Sequence, residues 1–263
     1  GYGRRHDCHT AYDDYFFPFS KTIRRGNCHD RRKTVGGYRM VDILAVCAHP
    51  DDLEVCAAGI FAKAKKEGLK TGLVIFTKGE SGGHAQKCER EEEAVKASEI
   101  LQLDYFVMLD FPDAGVFFTK ETVDALIPHL RKCSPRVVLT LLEKDYHPDH
   151  TAVSRITKAA CFTAGLKKYA DDNSEWHYDA LLFFGADNRT NMQRPDIYVD
   201  ISDVIEIKKR ACMAHRSQNV LPCAMDLARE YGRDAKVDYA EGLFLEHSIT
   251  IDSLSDIMRK PKV

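Results

Sequence analysis

The chain lacks the features that would set it apart from ordinary globular enzymes. No apolar run is long enough to cross a bilayer: the longest, Ile43 to Ala48 and Val137 to Leu142, are strand-sized. No charge of one sign dominates, with 38 Lys and Arg against 40 Asp and Glu and a formal net charge of -2. No global field therefore draws the chain to nucleic acid or to an anionic membrane. The 9 cysteines are an odd number and contain no CxxC pair. Cys47, Cys56, Cys133, Cys161 and Cys212 sit in apolar, regular segments, as reduced buried thiols do, which argues against a disulfide framework. The N-terminus has no apolar core of a secretory signal, and the expected compartment is the cytoplasm. Thr77 to Gly83 is glycine-rich but lacks the GxxxxGK[ST] spacing, so it is not a phosphate loop.

What is present is a chain of 263 residues, 44% hydrophobic and 30% charged, enough to fill one sizeable core. Residues 1–39 stand apart: they are rich in Lys and Arg and show neither helical nor alternating patterning. They are expected to form a poorly ordered N-terminal extension or a remnant foreign to the domain, which is then residues 40–263. His6, Cys8, His9, Cys28 and His29 lie in this extension at spacings that match no zinc finger.

From Met40 onward, near-continuous apolar strands alternate with helical segments. Strands are expected at Val41–Cys47, Thr71–Phe76, Tyr105–Leu109, Arg136–Leu142 and Ala180–Phe184. Helices are expected at Leu53–Glu67, Gln86–Leu101, about Lys120–Lys132 and about Asp149–Ala164. The pattern implies an α/β fold, Rossmann-like and doubly wound, with a mostly parallel sheet in the order 3-2-1-4-5. A less regular C-terminal elaboration follows, with a short strand at Ile197–Ile201, a helix at Val204–His215 and a last strand near Tyr239–Phe244.

Two polar clusters interrupt this pattern. Ala48-His49-Pro50-Asp51-Asp52 follows the first strand, and His147-Pro148-Asp149-His150 follows the fourth. Either alone would pass as a helix cap or a polar turn. In the order 3-2-1-4-5 the first and fourth strands are neighbours at the reversal of strand order, where ligands bind, so the fold brings the clusters together. His49, Asp52 and His150 then supply two imidazoles and a carboxylate, the ligand set of a catalytic zinc site that keeps a fourth position for water. Asp51 cannot point the same way as Asp52 and is read as the general base. His147 is read as an imidazolium that stabilises an oxyanion and protonates a leaving amine, with Asp149 holding its ring. Arg90 sits in the charged run Glu89-Arg90-Glu91-Glu92-Glu93 and on this reading alone is a solvated side chain. Asp110 and Asp113 follow the third strand and are candidates for the rim.

With these motifs the chain resembles the LmbE-like (PIG-L) de-N-acetylase superfamily over roughly Met40 to Leu245. The resemblance rests on AHPDD at 48–52, the arginine helix near 90–94, FPD at 111–113 and HPDH at 147–150. It continues in DIS at 200–202, HRSQ at 215–218 and YAEG at 239–242. It implies one zinc ion per chain on His49, Asp52 and His150, with Asp51 as base and His147 as its electrostatic or acid partner. It also implies that Arg90 reaches into a substrate pocket, which residue patterning does not suggest. The implied substrate is an N-acetylglucosamine-type conjugate, and the nearest resemblance is to bacillithiol-pathway deacetylases acting on N-acetylglucosaminyl malate. The family is compatible with a homo-oligomer, although no stretch of the sequence marks an interface. Two other readings stay open: a metal-dependent phosphoesterase, and a non-catalytic sugar-binding α/β module.

Overall fold

The computed structural model describes residues 40–82, 87–169, 175–185 and 193–248. The N-terminal extension and its His and Cys residues lie outside them, as do Gly83 and His84. Seven strands form one sheet in the order β3-β2-β1-β4-β5-β7-β6. The strands are β1 Ile43–Cys47, β2 Thr71–Thr77, β3 Tyr105–Phe111, β4 Val137–Leu141, β5 Ala180–Phe184, β6 Ile197–Asp200 and β7 Ala240–Leu245. The first five run parallel in the order 3-2-1-4-5 expected from the sequence. Their unbroken apolar runs are what a sheet covered on both faces requires. β2 is buried at every position, and β1 at all but its first.

The helices are α1 Asp52–Cys56, α2 Ala58–Lys66, α3 Lys87–Leu101, α4 Lys120–Cys133, α5 Pro148–Ala164, α6 Ile205–Ala214 and α7 Leu221–Ala235. α4 packs against α5, while α6 packs against α2 and α3. Cys47, Cys56, Cys133, Cys161 and Cys212 are free and buried, as their surroundings in the sequence implied. Among the described residues no helix is long and apolar enough to cross a membrane.

The structure departs from the sequence reading at two places and adds to it at a third. The single helix expected over Leu53–Glu67 is broken at Ala57, which adopts φ -145° and ψ 10°. The break is held from outside: Lys208 Nζ donates to the carbonyls of Glu54 and Val55 at 2.9 and 2.8 Å, and Glu241 accepts the amides of Gly59 and Ile60 at 2.9 and 2.7 Å. The orphan carbonyls ending α1 and the orphan amides opening α2 thus meet one buried ion pair, Lys208 with Glu241 at 2.7 Å. Second, α7 occupies a stretch in which no helix was expected. Its buried face is built from Ala224, Met225, Ala228, Gly232 and Ala235, while Pro222 near its start and the charged residues between keep the stretch polar on average. Third, the reading left the direction of the C-terminal strands open; both expected strands form and return antiparallel, β7 on β5 and β6 on β7, so the elaboration extends the sheet itself.

Candidate active site

The turn after β1 is closed by Asp52. Its Oδ2 accepts the backbone amides of Ala48 at 3.0 Å and His49 at 2.9 Å, leaving Oδ1 to face away from the backbone. The preceding residue, Asp51, stands at φ 106° and ψ -21°. A non-glycine residue in this region stores strain of about 1–3 kcal/mol, which persists only where surrounding contacts impose it. Here those contacts come from Arg90, whose Nη2 donates to Pro50 O at 2.9 Å and to Asp51 Oδ2 at 3.3 Å.

The turn after β4 is organised by Asp145. One carboxylate oxygen accepts the His147 amide at 2.8 Å, and the other lies 3.0 Å from His150 Nδ1. His147 is the N-cap of α5: its Nδ1 accepts the Asp149 amide at 3.2 Å, with Pro148 opening the helix. This bond makes Nδ1 an acceptor and assigns the ring proton of neutral His147 to Nε2.

The two turns meet. His49 Nδ1 and His150 Nε2, 101 residues apart in sequence, are 3.2 Å apart, and Asp52 Oδ1 is 3.2 Å from the same His150 nitrogen. His49 Nδ1 to Asp52 Oδ2 is 3.9 Å. The edge of a tetrahedron of zinc ligands with bonds of about 2.0–2.1 Å is about 3.3 Å. The remote nitrogens fit the same chemistry. His49 Nε2 lies 3.1 Å from Asp113 and 3.2 Å from Asp149, while His150 Nδ1 lies on Asp145. Each carboxylate can take the far ring N–H, so that a ring losing its second proton would offer the near nitrogen as a lone pair, the usual outer support of a metal-bound histidine. The donor set therefore fits a divalent ion such as zinc. Two groups of three residues have ligand atoms that all lie within 4.8 Å of one another, His49 with His147 and His150, and His49 with Asp113 and Asp149, and neither includes Asp52. In the second, both carboxylates address the far nitrogen of His49, an arrangement that orients the ring.

The electrostatics follow from this crowding. Burial disfavours a charged His49, but the hydrogen bonds to Asp113, Asp149 and Asp52 outweigh it and the ring is pushed up to about 12. His150 is likewise raised, to about 10, because Asp52 and Asp145 overcome its burial. His147 moves the other way, lowered by burial and by the neighbouring rings of His49 and His150. Burial and the adjacent Asp52 push Asp51 up to about 7 against the pull of Arg90, His215 and His49. Asp113 falls to about 2, foremost through its bond to His49.

All seven residues singled out in the sequence lie on this cluster or directly behind it, though Asp149, His147 and Arg90 differ in detail from expectation. Asp149 was expected to hold the ring of His147. Its carboxylate instead lies on His49 and on the amides of Ala114 and Val116, because its helix position turns the side chain toward the loop after β3. His147 thus has a backbone amide, not a carboxylate, behind it, and its lowered pKa leaves it neutral at neutral pH. Arg90 is only 3% exposed, and its guanidinium bonds to Gly79 O, Pro50 O and Asp51, inside the protein. Sequence reasoning missed Asp145, although it stands two residues before His147, and gave Asp113 only a place on the rim. His215, 1% exposed and 3.3 Å from Glu54 behind the first turn, was visible only as part of HRSQ. A cavity of about 440 Å³ is lined by Leu142, Lys144, Arg194 and Phe244 among others, and none of the clustered His and Asp residues lines it.

Fold and site together define a doubly wound α/β protein with a candidate His/Asp metal centre at its strand-order reversal. A family model described as "PIG-L: GlcNAc-PI de-N-acetylase" matches residues 44–161. The chain is 31% identical to an uncharacterised deacetylase, YaiS, of Escherichia coli K12, over 46% of this chain and 68% of that protein. It is 29% identical to the diacetylchitobiose deacetylase of Thermococcus kodakarensis, over 76% of this chain and 81% of the relative. A probable N-acetyl-alpha-D-glucosaminyl L-malate deacetylase 2 of Bacillus cereus is 26% identical, over 67% and 83%. Among solved structures, the conserved protein TT1542 of Thermus thermophilus superposes with a TM-score of 0.76 at 37% identity, covering 82% of this chain and 99% of that one. GalB, the 4-carboxy-2-hydroxymuconate hydratase of Pseudomonas putida, superposes with a TM-score of 0.75 at 25% identity, covering 82% and 100%. The chain belongs to the PIG-L de-N-acetylase family. It is a deacetylase, an amidohydrolase acting on N-acetylglucosamine-type substrates.

Proposed function

We propose that the chain is a zinc-dependent deacetylase that hydrolyses the acetamide of a polar N-acetylglucosamine conjugate, with one zinc ion held by His49, Asp52 and His150. The observation that carries this reading is the pairing of lone pairs and carboxylates described above. Two imidazoles turn their near nitrogens toward one point beside Asp52 and their far nitrogens onto Asp113, Asp149 and Asp145. A zinc ion bound there supplies Lewis acidity, polarising a carbonyl and lowering the pKa of water to about 7.

The residues of the chain perform the rest. Asp51, with a pKa of about 7, takes a proton from the attacking water as its oxygen bonds to the acetyl carbon. The Nε2–H of His147 donates a hydrogen bond to the developing oxyanion, and the proton held on Asp51 passes to the sugar nitrogen as the C–N bond breaks, releasing acetate and a free amine. A neutral His147 suits this role, since its Nε2–H stabilises the oxyanion by hydrogen bonding and no proton has to leave the ring. The substrate class is a polar N-acetylglucosamine conjugate, as the names of the deacetylase relatives suggest. N-acetylglucosaminyl malate and diacetylchitobiose both fall in this class. The likeness to GalB supports a second reading, in which the same water-activating residues hydrate a carbon–carbon double bond.

Acetate release from N-acetylglucosamine, diacetylchitobiose and N-acetylglucosaminyl malate, each with chelated and zinc-reloaded protein, tests the proposal. The expected result is about one zinc per chain and acetate release only when zinc is present. A zinc-loaded protein that releases no acetate from the panel refutes the deacetylase chemistry. Two metals per chain with turnover of phosphate esters would favour the phosphoesterase alternative.

A further inference from the structure

We infer that Arg90 is a positioning residue, which holds Asp51 in its strained conformation through a clamp built on a glycine cradle. The inference rests on the assignment of Asp51 as base. Arg90 lies on α3, remote in sequence from the turn it touches, and is almost wholly buried. Its Nη1 donates to Gly79 O at 2.5 Å, and its Nη2 donates to Pro50 O at 2.9 Å and reaches Asp51 Oδ2 at 3.3 Å. One planar group thus ties the loop after β2 to both the backbone and the carboxylate of the turn after β1.

The loop is shaped for this group. Gly79 stands at φ 68°, and a Cβ added to it would collide with the Arg90 guanidinium at Nη1 and Cζ and lie 2.8 Å from Nε. A Cβ on Gly82 would lie 3.1 Å from the same Nη1. Thr77 anchors the cradle, with its hydroxyl donating to Ala48 O at 3.0 Å and accepting the Gly79 amide at 3.2 Å. Ala48 opens the very turn that Arg90 closes. The Asp51 side chain makes no cap bond to α1, so its unusual φ is not imposed by local capping. The fork of a guanidinium reaches two backbone carbonyls and a carboxylate together, which the single point charge of a lysine cannot do.

The test compares Arg90→Lys and Gly79→Ala in the zinc-loaded protein, each alone and combined with Asp51→Asn, by acetate release. Unmodified protein is assayed first, so that a failure of the deacetylase reading shows as absent turnover before any variant is compared. Either substitution is expected to lower kcat at least about tenfold with KM changed less than about threefold and zinc content unchanged. In the Asp51→Asn background the same substitution should lower kcat less than about twofold, because a group acting through Asp51 has nothing left to position. A raised KM at unchanged kcat would make Arg90 a substrate contact and overturn the inference, as would equal losses in both backgrounds. Should Arg90→Lys fail to fold, Gly79→Ala carries the comparison. Failure of both to fold would assign the clamp to stability alone and also overturn it.

Discussion

Asp51 and Asp52 are adjacent carboxylates with opposite fates, and the difference is geometric. Asp52 spends one oxygen on two backbone amides and turns the other to His150, which keeps it charged, whereas Asp51 is lifted to about 7 by burial and by Asp52 itself. A base with a raised pKa loses activity as pH falls through that value, so the kcat/KM profile should drop on its acid side near pH 7. Asp51→Asn is expected to keep its zinc, lose about two or more orders of magnitude in kcat, and show no such acid limb. Near-normal turnover of a zinc-loaded Asp51→Asn protein would exclude Asp51 as base. Asp145 makes a second residue-scale case. Asp145→Asn should weaken zinc binding about 10- to 100-fold in competition with a chelating dye, because His150 loses the carboxylate that fixes its tautomer; unchanged affinity would remove that role. The residues carrying the motifs were legible because short runs of His and Asp are out of place at the end of apolar strands. Their outer partners were not: nothing local in the sequence says that Asp149 faces His49, or that Arg90 points inward from a run of glutamates.

At the scale of elements, the five parallel strands and their order were readable because each is a short, almost purely apolar run between helices. The broken helix α1–α2 was not, since its cause lies in Lys208 and Glu241, far along the chain. Lys208 is fully buried, and its ammonium joins α6 to the end of α1 and to the strand β7 that carries Glu241. Lys208→Met leaves Glu241 buried with only its two amide donors, and removing one member of such a pair typically costs about 3–5 kcal/mol. Chemical denaturation should show a loss of that order, and a loss under about 1 kcal/mol would mean that the pair contributes little to docking the elaboration. The helix α7 escaped notice for a different reason: Asp226, Arg229, Glu230, Arg233 and Asp234 make the stretch polar on average and mask its apolar face.

At the scale of the whole molecule, the site joins the turn after β1 to the turn after β4, and no single segment contains it. The 3.2 Å between His49 Nδ1 and His150 Nε2 has room for one hydrogen, and the raised pKa of both rings means that a proton is held there at neutral pH. On the proposed ligand set a zinc ion would have to displace it. Uptake of each ion by chelated protein at neutral pH should therefore release at least one proton, with apparent affinity rising as pH climbs toward the His150 value of about 10. Calorimetry in buffers of different ionisation enthalpy would reveal this, and zinc uptake without proton release would contradict the ligand assignment.

The division of the donors has a further effect on how the protein is made. A nascent chain that has emerged only as far as α4 already holds His49 and Asp52, but β4 and the helix bearing His150 are still to come. On the proposed ligand set, metal capture would wait for the ribosome to deliver the second turn, and a polypeptide truncated before it would leave translation unable to load.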